Sequence, residues 1–386
     1  MKRLAIVTTH PVQYNAPWFQ LLAERKQVEL KVFYTWSQVQ QGPKYDPDFG
    51  KVIEWDLPLL EGYSYMFVQN MSKNPGSHHF KGIDTPTLTK EIQSWRADVV
   101  LVIGWAYKGH LHCLRYFKNK LPVLFRGDST LLDETKGAKT ILRRIFLSWV
   151  YRHIDIALFA GTNNKEYFLA HGVKERQLIR AYHAIDNDRF SANEEMRSVE
   201  AQKIRQSLSI NPTDFVVLFA GKLEAKKNPF YILSLAKQLK EQDIVFLLVG
   251  NGHLEESLKE AATNDKRIKF LSFQNQTIMP AIYTAASVFI LPSLGPGETW
   301  GLAANEAMAC GRPVILSAKT GGAIDLVSDN GLVFKPEELA SVVDYLRKLK
   351  ASQVFYEKAK QVSLNQIKKF SFVQIAQAIE YACGQP

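Results

Sequence analysis

Cysteine is scarce. The 386-residue chain has three, Cys113, Cys310 and Cys383, far apart and with no CxxC pair. That excludes a disulfide framework and a structural zinc site, and it fits a reducing cytosol. Long hydrophobic runs are also missing: no apolar stretch approaches the ~20 residues a spanning helix needs, because Arg143 and Arg144 interrupt the nearest candidate, so no membrane crossing is expected. The opening MKRLAIVTTHPVQ has too short an apolar run for a signal peptide and reads as a first strand. Repeats and low-complexity tracts are absent as well. What is present is an ordinary globular balance, 46% hydrophobic and 22% charged, with a net charge of +10 that favours anionic partners.

The length calls for two domains. Short apolar runs alternate with helix-length segments throughout: LAIVTT, VELKVFYTW, DVVLVIGW, PVLFRG and DIALFAG first, then FVVLFAGK, IVFLLVGNG, RIKFLSF, SVFILPS, PVILS and GLVF. This order predicts an α/β protein of two Rossmann-like doubly wound domains facing a cleft. The polar stretch 188–213 places the boundary near 195, giving domains 1–195 and 196–365. Residues 366–386 read as a C-terminal amphipathic helix that crosses back to the first domain.

The densest chemical signal spans 287–322, SVFILPSLGPGETWGLAANEAMACGRPVILSAKTGG. A β-branched strand ends at Pro292, a Gly/Pro loop follows, and a helix starts near Leu302 and stops at Gly311 and Pro313. Helix N-termini at the carboxyl end of a parallel sheet present free N–H groups to anions, which makes Gly301 and Leu302 candidate diphosphate binders. Glu298 and Glu306 are eight positions apart, ~12 Å if the interval is helical. One carboxylate would then flank each end of a diphosphate.

ETWGLAANE followed by AMACGRPVI resembles the E-x7-E signature of retaining glycosyltransferase family 4, a family of the glycosyltransferase B (GT-B) fold. The resemblance implies that Glu298 accepts hydrogen bonds from donor-sugar hydroxyls, that Glu306 holds the nucleotide ribose, and that Thr299, Trp300, Gly301 and Leu302 line the donor. FAGKLEAKKNP (219–229) resembles the family's G-R-x4-K-G turn, with Gly221 at the glycine and Lys222 and Lys227 at the two cations that contact the diphosphate. Lysine at the arginine position offers a point charge instead of a fork. VGNGHLEESL, FLSFQNQ and KTGGAIDLV resemble its G-x-G turn, base-contacting loop and Gly-Gly loop, which assigns Gly250, Asn251 and Phe273 to the donor. Ser272 and Asp325 stand where glycine and glutamate are usual.

In the first half the resemblance is mainly one of element order. PVLFRGDSTLLDE puts Asp128 where the family carries a His or Asp near the reacting carbon, beside Arg126; an internal ion pair is the other reading of these two. His10, Gln13, Asn15 and Trp105 sit at strand ends and are acceptor-side candidates, and Trp36, Tyr45, Trp55 and Tyr107 are further aromatics available for stacking. His78, His79, His110 and His112 lack metal-ligand spacing and read as loop polarity. No metal and no cofactor is expected; the nucleoside diphosphate sugar, UDP- or GDP-type, is a substrate. In KGAKTILRRIFLSWVYRH (136–153), Ile141, Leu142, Ile145, Phe146 and Trp149 share a helix side, with Lys139, Arg143 and Arg144 on or near the other. Packing on the first sheet is the favoured reading of this stripe; peripheral contact with an anionic membrane is the other.

The expected activity is therefore metal-independent, retaining hexosyl transfer to a glycan, lipid-linked or small-molecule acceptor in cytoplasmic polysaccharide biosynthesis, peripheral at the inner membrane face if the stripe binds lipid. Nucleic acid is not an expected partner. A sugar-nucleotide epimerase or hydrolase of the same fold, or a non-enzymatic anionic-ligand module, are the alternatives. A dehydrogenase reading of Gly250-Asn-Gly252 fails because Glu255 occupies the third glycine position.

Overall fold

Eleven apolar runs become strands of two parallel sheets, because strands covered on both faces need continuous hydrophobic sequence. The computed structural model describes residues 1–36, 44–46, 51–53 and 56–385. The strands are β1 Lys2–Thr8, β2 Val28–Tyr34, β3 Lys44–Asp46, β4 Lys51–Ile53, β5 Ser64–Phe67, β6 Val99–Ile103, β7 Val123–Gly127, β8 Ile156–Phe159 and β9 Leu178–Arg180 in the N-terminal half. They continue with β10 Phe215–Ala220, β11 Ile244–Val249, β12 Ile268–Leu271, β13 Val288–Leu291, β14 Val314–Ser317 and β15 Gly331–Phe334.

The first sheet runs β5-β2-β1-β6-β7-β8-β9 and the second β12-β11-β10-β13-β14-β15, while β3 and β4 pair separately. β1 is parallel to β2 from Lys2↔Val28 to Thr8↔Tyr34, and to β6 from Leu4↔Val99. In the second sheet β10 lies between β11 and β13, with Phe215↔Ile244 and Val217↔Val288 in register. Strand order therefore reverses between β1 and β6 in one sheet and between β10 and β13 in the other. Such switch points are where open α/β sheets admit ligands.

Chain contacts define two units: residues 1–44, 57–183 and 372–386 form one, and 45–56 and 184–371 the other. The division at 183/184 precedes the expected 195. The polar segment read as a linker is mostly helix, Asn187–Ser191 and Glu194–Ser207, and joins the second unit. Arg205 fastens it by donating to the carbonyls of Ala285 (2.9 Å) and Asn211 (2.9 Å), a polar attachment that hydrophobic periodicity does not reveal.

The terminal helix Phe372–Gly384 belongs to the first unit. Glu380 accepts both Arg25 Nε (2.7 Å) and Nη2 (2.8 Å), and the Cys383 carbonyl accepts Lys2 Nζ (2.7 Å). The helix Ala138–Tyr151 buries Leu147, Val150 and Tyr151 but leaves Ile141, Leu142, Ile145, Phe146 and Trp149 at 36–67% exposure. Packing of that stripe on the sheet is thus corrected: the opposite helix face is the one that packs. His110, read as loop polarity, is buried on the helix Lys108–Phe117, with Nδ1 on the Gly104 carbonyl (2.8 Å) and Nε2 facing Thr35 Oγ1 (2.9 Å). Trp55 and the side chain of Tyr45 lie outside the described residues.

Candidate donor site at the second switch point

The ends of β10 and β13 carry the two strongest sequence signals, which places both on the switch point. After β10 come Gly221 and Lys222, then a short 3-10 turn, Ala225–Lys227. After β13 come Ser293, the loop 294–297 and Glu298, and then Gly301 as N-cap of the helix Leu302–Ala309. The Leu294 N–H donates to the Lys226 carbonyl (2.8 Å), so the two loops are tied together.

Glu298 is only 8% exposed, and one carboxylate oxygen receives both Lys227 Nζ and Ser293 Oγ (3.0 Å). Glu298 is therefore not a solvated loop residue. Glu306 is 3% exposed and accepts the Tyr283 hydroxyl at 2.8 Å, so it is not an ordinary surface glutamate either. The helical spacing of the pair needs correction. Residues 298–301 are loop and the helix begins at Leu302, so only the steps from 302 to 306 follow the helical rise, ~6 Å.

The Gly-Gly loop closes on this segment. Gly321 N–H donates to the Glu298 carbonyl (2.8 Å) and Gly322 N–H to the Trp300 carbonyl (2.9 Å). A Cβ on Gly321 would stand 1.8 Å from the Thr299 carbonyl oxygen, which is why the approach needs glycine. Gly301 has φ +94° with Thr320 packed against it. Among the described residues the buried Thr320 Oγ1 finds no hydrogen-bond partner. Trp300 is 3% exposed, and its indole donates to Asn305 Oδ1 (2.9 Å). Its side chain is therefore part of the interior, which corrects its assignment as a donor contact.

The G-x-G turn supports the same end of the sheet. Gly250 has φ +135°, and a Cβ there would meet the Gly221 carbonyl oxygen at 2.0 Å. Asn251 is buried, donates to Glu255 Oε2 (2.5 Å) and accepts the Phe273 N–H (2.8 Å). Its side chain thus braces the half-buried Phe273. Lys222 is half-buried. Lys226 pairs with the mostly buried Glu224 at 3.2 Å, apart from the Lys227 contact.

In the first unit, His10 follows β1, Trp105 follows β6 and Asp128 follows β7, the strands at and next to its switch point. His10 meets Trp36 edge-on (5.3 Å between rings), Asn15 Oδ1 accepts Trp18 Nε1 (3.3 Å), and Gln13 is half-buried. Trp105 packs against the core and Phe146 (5.5 Å). Arg126 is 4% exposed and donates to the carbonyls of Ala181 (2.6 Å) and Tyr182 (3.3 Å). Burial lowers its pKa to about 10 against the opposing pull of Asp128. It holds backbone, which corrects the acceptor-side reading. Asp128, its side chain 47% exposed, has His183 Nε2 at 3.7 Å, and desolvation depresses the His183 pKa despite that carboxylate.

Sequence reasoning missed Tyr283, Ser293, Thr320 and His183. A tyrosine in the mostly apolar MPAIYTA helix was the one legible hint, since a buried phenol needs a partner.

Residues 200–369 match the family model of glycosyl transferases group 1. Over 211 residues the chain is 26% identical to an uncharacterized glycosyltransferase of Methanocaldococcus jannaschii, covering 53% of each chain. Over 122 residues it is 37% identical to an Escherichia coli UDP-Gal:alpha-D-GlcNAc-diphosphoundecaprenol alpha-1,3-galactosyltransferase, 30% of each. The chain thus spans about half or less of the length of these relatives. The crystal structure of Anabaena HepE in complex with UDP and glucose shares the fold, with TM-score 0.72 over 98% of both chains at 17% identity.

Proposed function

We propose, proceeding from the glycosyl transferases group 1 domain of residues 200–369, that the chain is a metal-independent, retaining sugar-nucleotide glycosyltransferase of family 4. The observation that carries this reading is the burial of two carboxylates, Glu298 and Glu306, on one loop-helix segment beside Lys227 at the sheet's switch point.

Sugar transfer expels a nucleoside diphosphate, so negative charge grows on the leaving oxygens. Fixed cations and amides already pointed at those oxygens lower the barrier without reorganising. Lys222 and Lys227 supply the cations and the Leu302 helix start the amides. Glu298, held by Ser293, accepts from the sugar hydroxyls; a diphosphate offers Lys227 a second anionic partner. Glu306, oriented by Tyr283, takes the ribose hydroxyls. Asp128 orients sugar or acceptor and does not attack, because the leaving phosphate takes the acceptor proton.

A UDP-type donor is favoured over a GDP-type one by the UDP in the HepE complex, and a lipid-linked acceptor by the diphosphoundecaprenol substrate named for the E. coli relative. Polysaccharide assembly at the cytoplasmic membrane face is the setting this implies. Calorimetry with UDP, GDP, ADP and their sugars tests the reading. Submicromolar to millimolar binding of one nucleotide series, lost in Glu306→Ala, is expected; no binding of any overturns it. NMR of the product anomer tests retention, and turnover unchanged by EDTA tests metal independence.

A further inference from the structure

We infer that the outward face of the helix Ala138–Tyr151 is an interfacial anchor that lies on an anionic lipid surface. At 100° per residue, Ile141, Leu142, Ile145, Phe146 and Trp149 fall within an arc of about 140°, while Leu147, Val150 and Tyr151 point the opposite way into the core. The fold's own packing therefore leaves five large apolar side chains together in water. Single exposed apolar residues are ordinary, but a contiguous stripe marks a surface that is covered in use.

Charge identifies the cover. Residues 136–153 hold Lys136, Lys139, Arg143, Arg144 and Arg152 and no Asp or Glu. Arg144 pairs with Glu134 beside the helix, and the Arg115 guanidinium lies 5.4 Å over the Trp149 ring. Lys139 and Arg143 are exposed next to the stripe. A second copy of the chain would bring two such cationic faces together, whereas anionic headgroups complement them. Among the described residues no helix is long and apolar enough to cross a membrane, so this helix lies on the surface. Trp149 and Phe146 form a continuous aromatic edge (5.7 Å) that reaches Trp105 at the end of β6. If the transferase reading holds, lipid-bound acceptors arrive beside the first unit's switch point; the anchoring itself does not depend on that reading.

Vesicle co-sedimentation of the full chain tests this. Vesicles of phosphatidylcholine with about one third phosphatidylglycerol should bring the protein down, neutral phosphatidylcholine far less, and about 0.5 M NaCl should weaken binding. Leu142→Asp with Ile145→Asp should cut the bound fraction roughly tenfold with an unchanged melting temperature. Arg143→Glu should act on the anionic vesicles alone. Wild type remaining in the supernatant, or the double variant binding equally, overturns the inference. So does a dimer that the double variant dissociates without any vesicle binding. Nucleotide calorimetry on the same samples separates this failure from failure of the transferase reading.

Discussion

The Tyr283 hydroxyl donates to the Glu306 carboxylate at 2.8 Å, with Tyr283 fully buried and Glu306 3% exposed. A helix of the second unit thus helps to aim a carboxylate that belongs to another helix. Tyr283→Phe removes the donor and keeps the ring. A hydrogen bond to a charged group is worth about 1.5–3 kcal/mol, so nucleotide affinity should fall by roughly tenfold or more, read by calorimetry. Unchanged affinity would detach Glu306 from the nucleotide.

Glu298→Ala should abolish transfer while donor binding largely persists, because its task lies at the sugar. Near-normal turnover would exclude it from the site. Lys227→Ala should weaken binding of the nucleoside diphosphate, and should also destabilise the second unit by about 3 kcal/mol, since Glu298 would be left buried without its cation. Binding and denaturant midpoint are the two readouts. Equal affinity for the nucleotide argues against the cationic clamp.

At the Gly-Gly loop the smallest substitution is the informative one. Gly321→Ala places a methyl 1.8 Å from the Thr299 carbonyl oxygen, so the loop must part from residues 298–300. Donor binding should drop at least tenfold, by about 1.4 kcal/mol or more. A variant that binds normally would show that this close approach does not shape the site.

The buried His110 is a source of acid sensitivity. Burial lowers its pKa to about 4, while in the unfolded chain it returns to its ordinary 6.5. Between those values the unfolded state binds the proton and the folded state does not, so stability is complete above pH 6.5 and falls as the pH drops toward 4. At pH 5 the loss is about 2 kcal/mol. Denaturant midpoints at pH 7 and 5 check it: His110→Gln should flatten the difference, and an equal pH slope in both proteins would contradict it.

His183 stands 3.7 Å from Asp128, and desolvation lowers its pKa against the pull of that carboxylate. His183→Ala should leave nucleotide affinity unchanged, lower turnover and shift the acid limb of the pH–rate profile. An unaltered profile would make the pair structural only.

Two doubly wound units, eleven of the strands and the motif-bearing loops followed from the sequence alone, because buried parallel strands need unbroken apolar runs and tight loops need glycine at set positions. The edge strands β5 and β9 escaped, since SYMF and LIR are short and half-exposed and carry no such run. Only the tertiary structure decided that Glu298 is bound by Lys227 and Ser293, that Tyr283 aims Glu306, that Arg126 holds backbone, and that the apolar stripe of Ala138–Tyr151 faces outward. Periodicity says that a helix has two faces. Which one is buried, and which polar groups meet across elements distant in sequence, depends on the partners that folding brings to them.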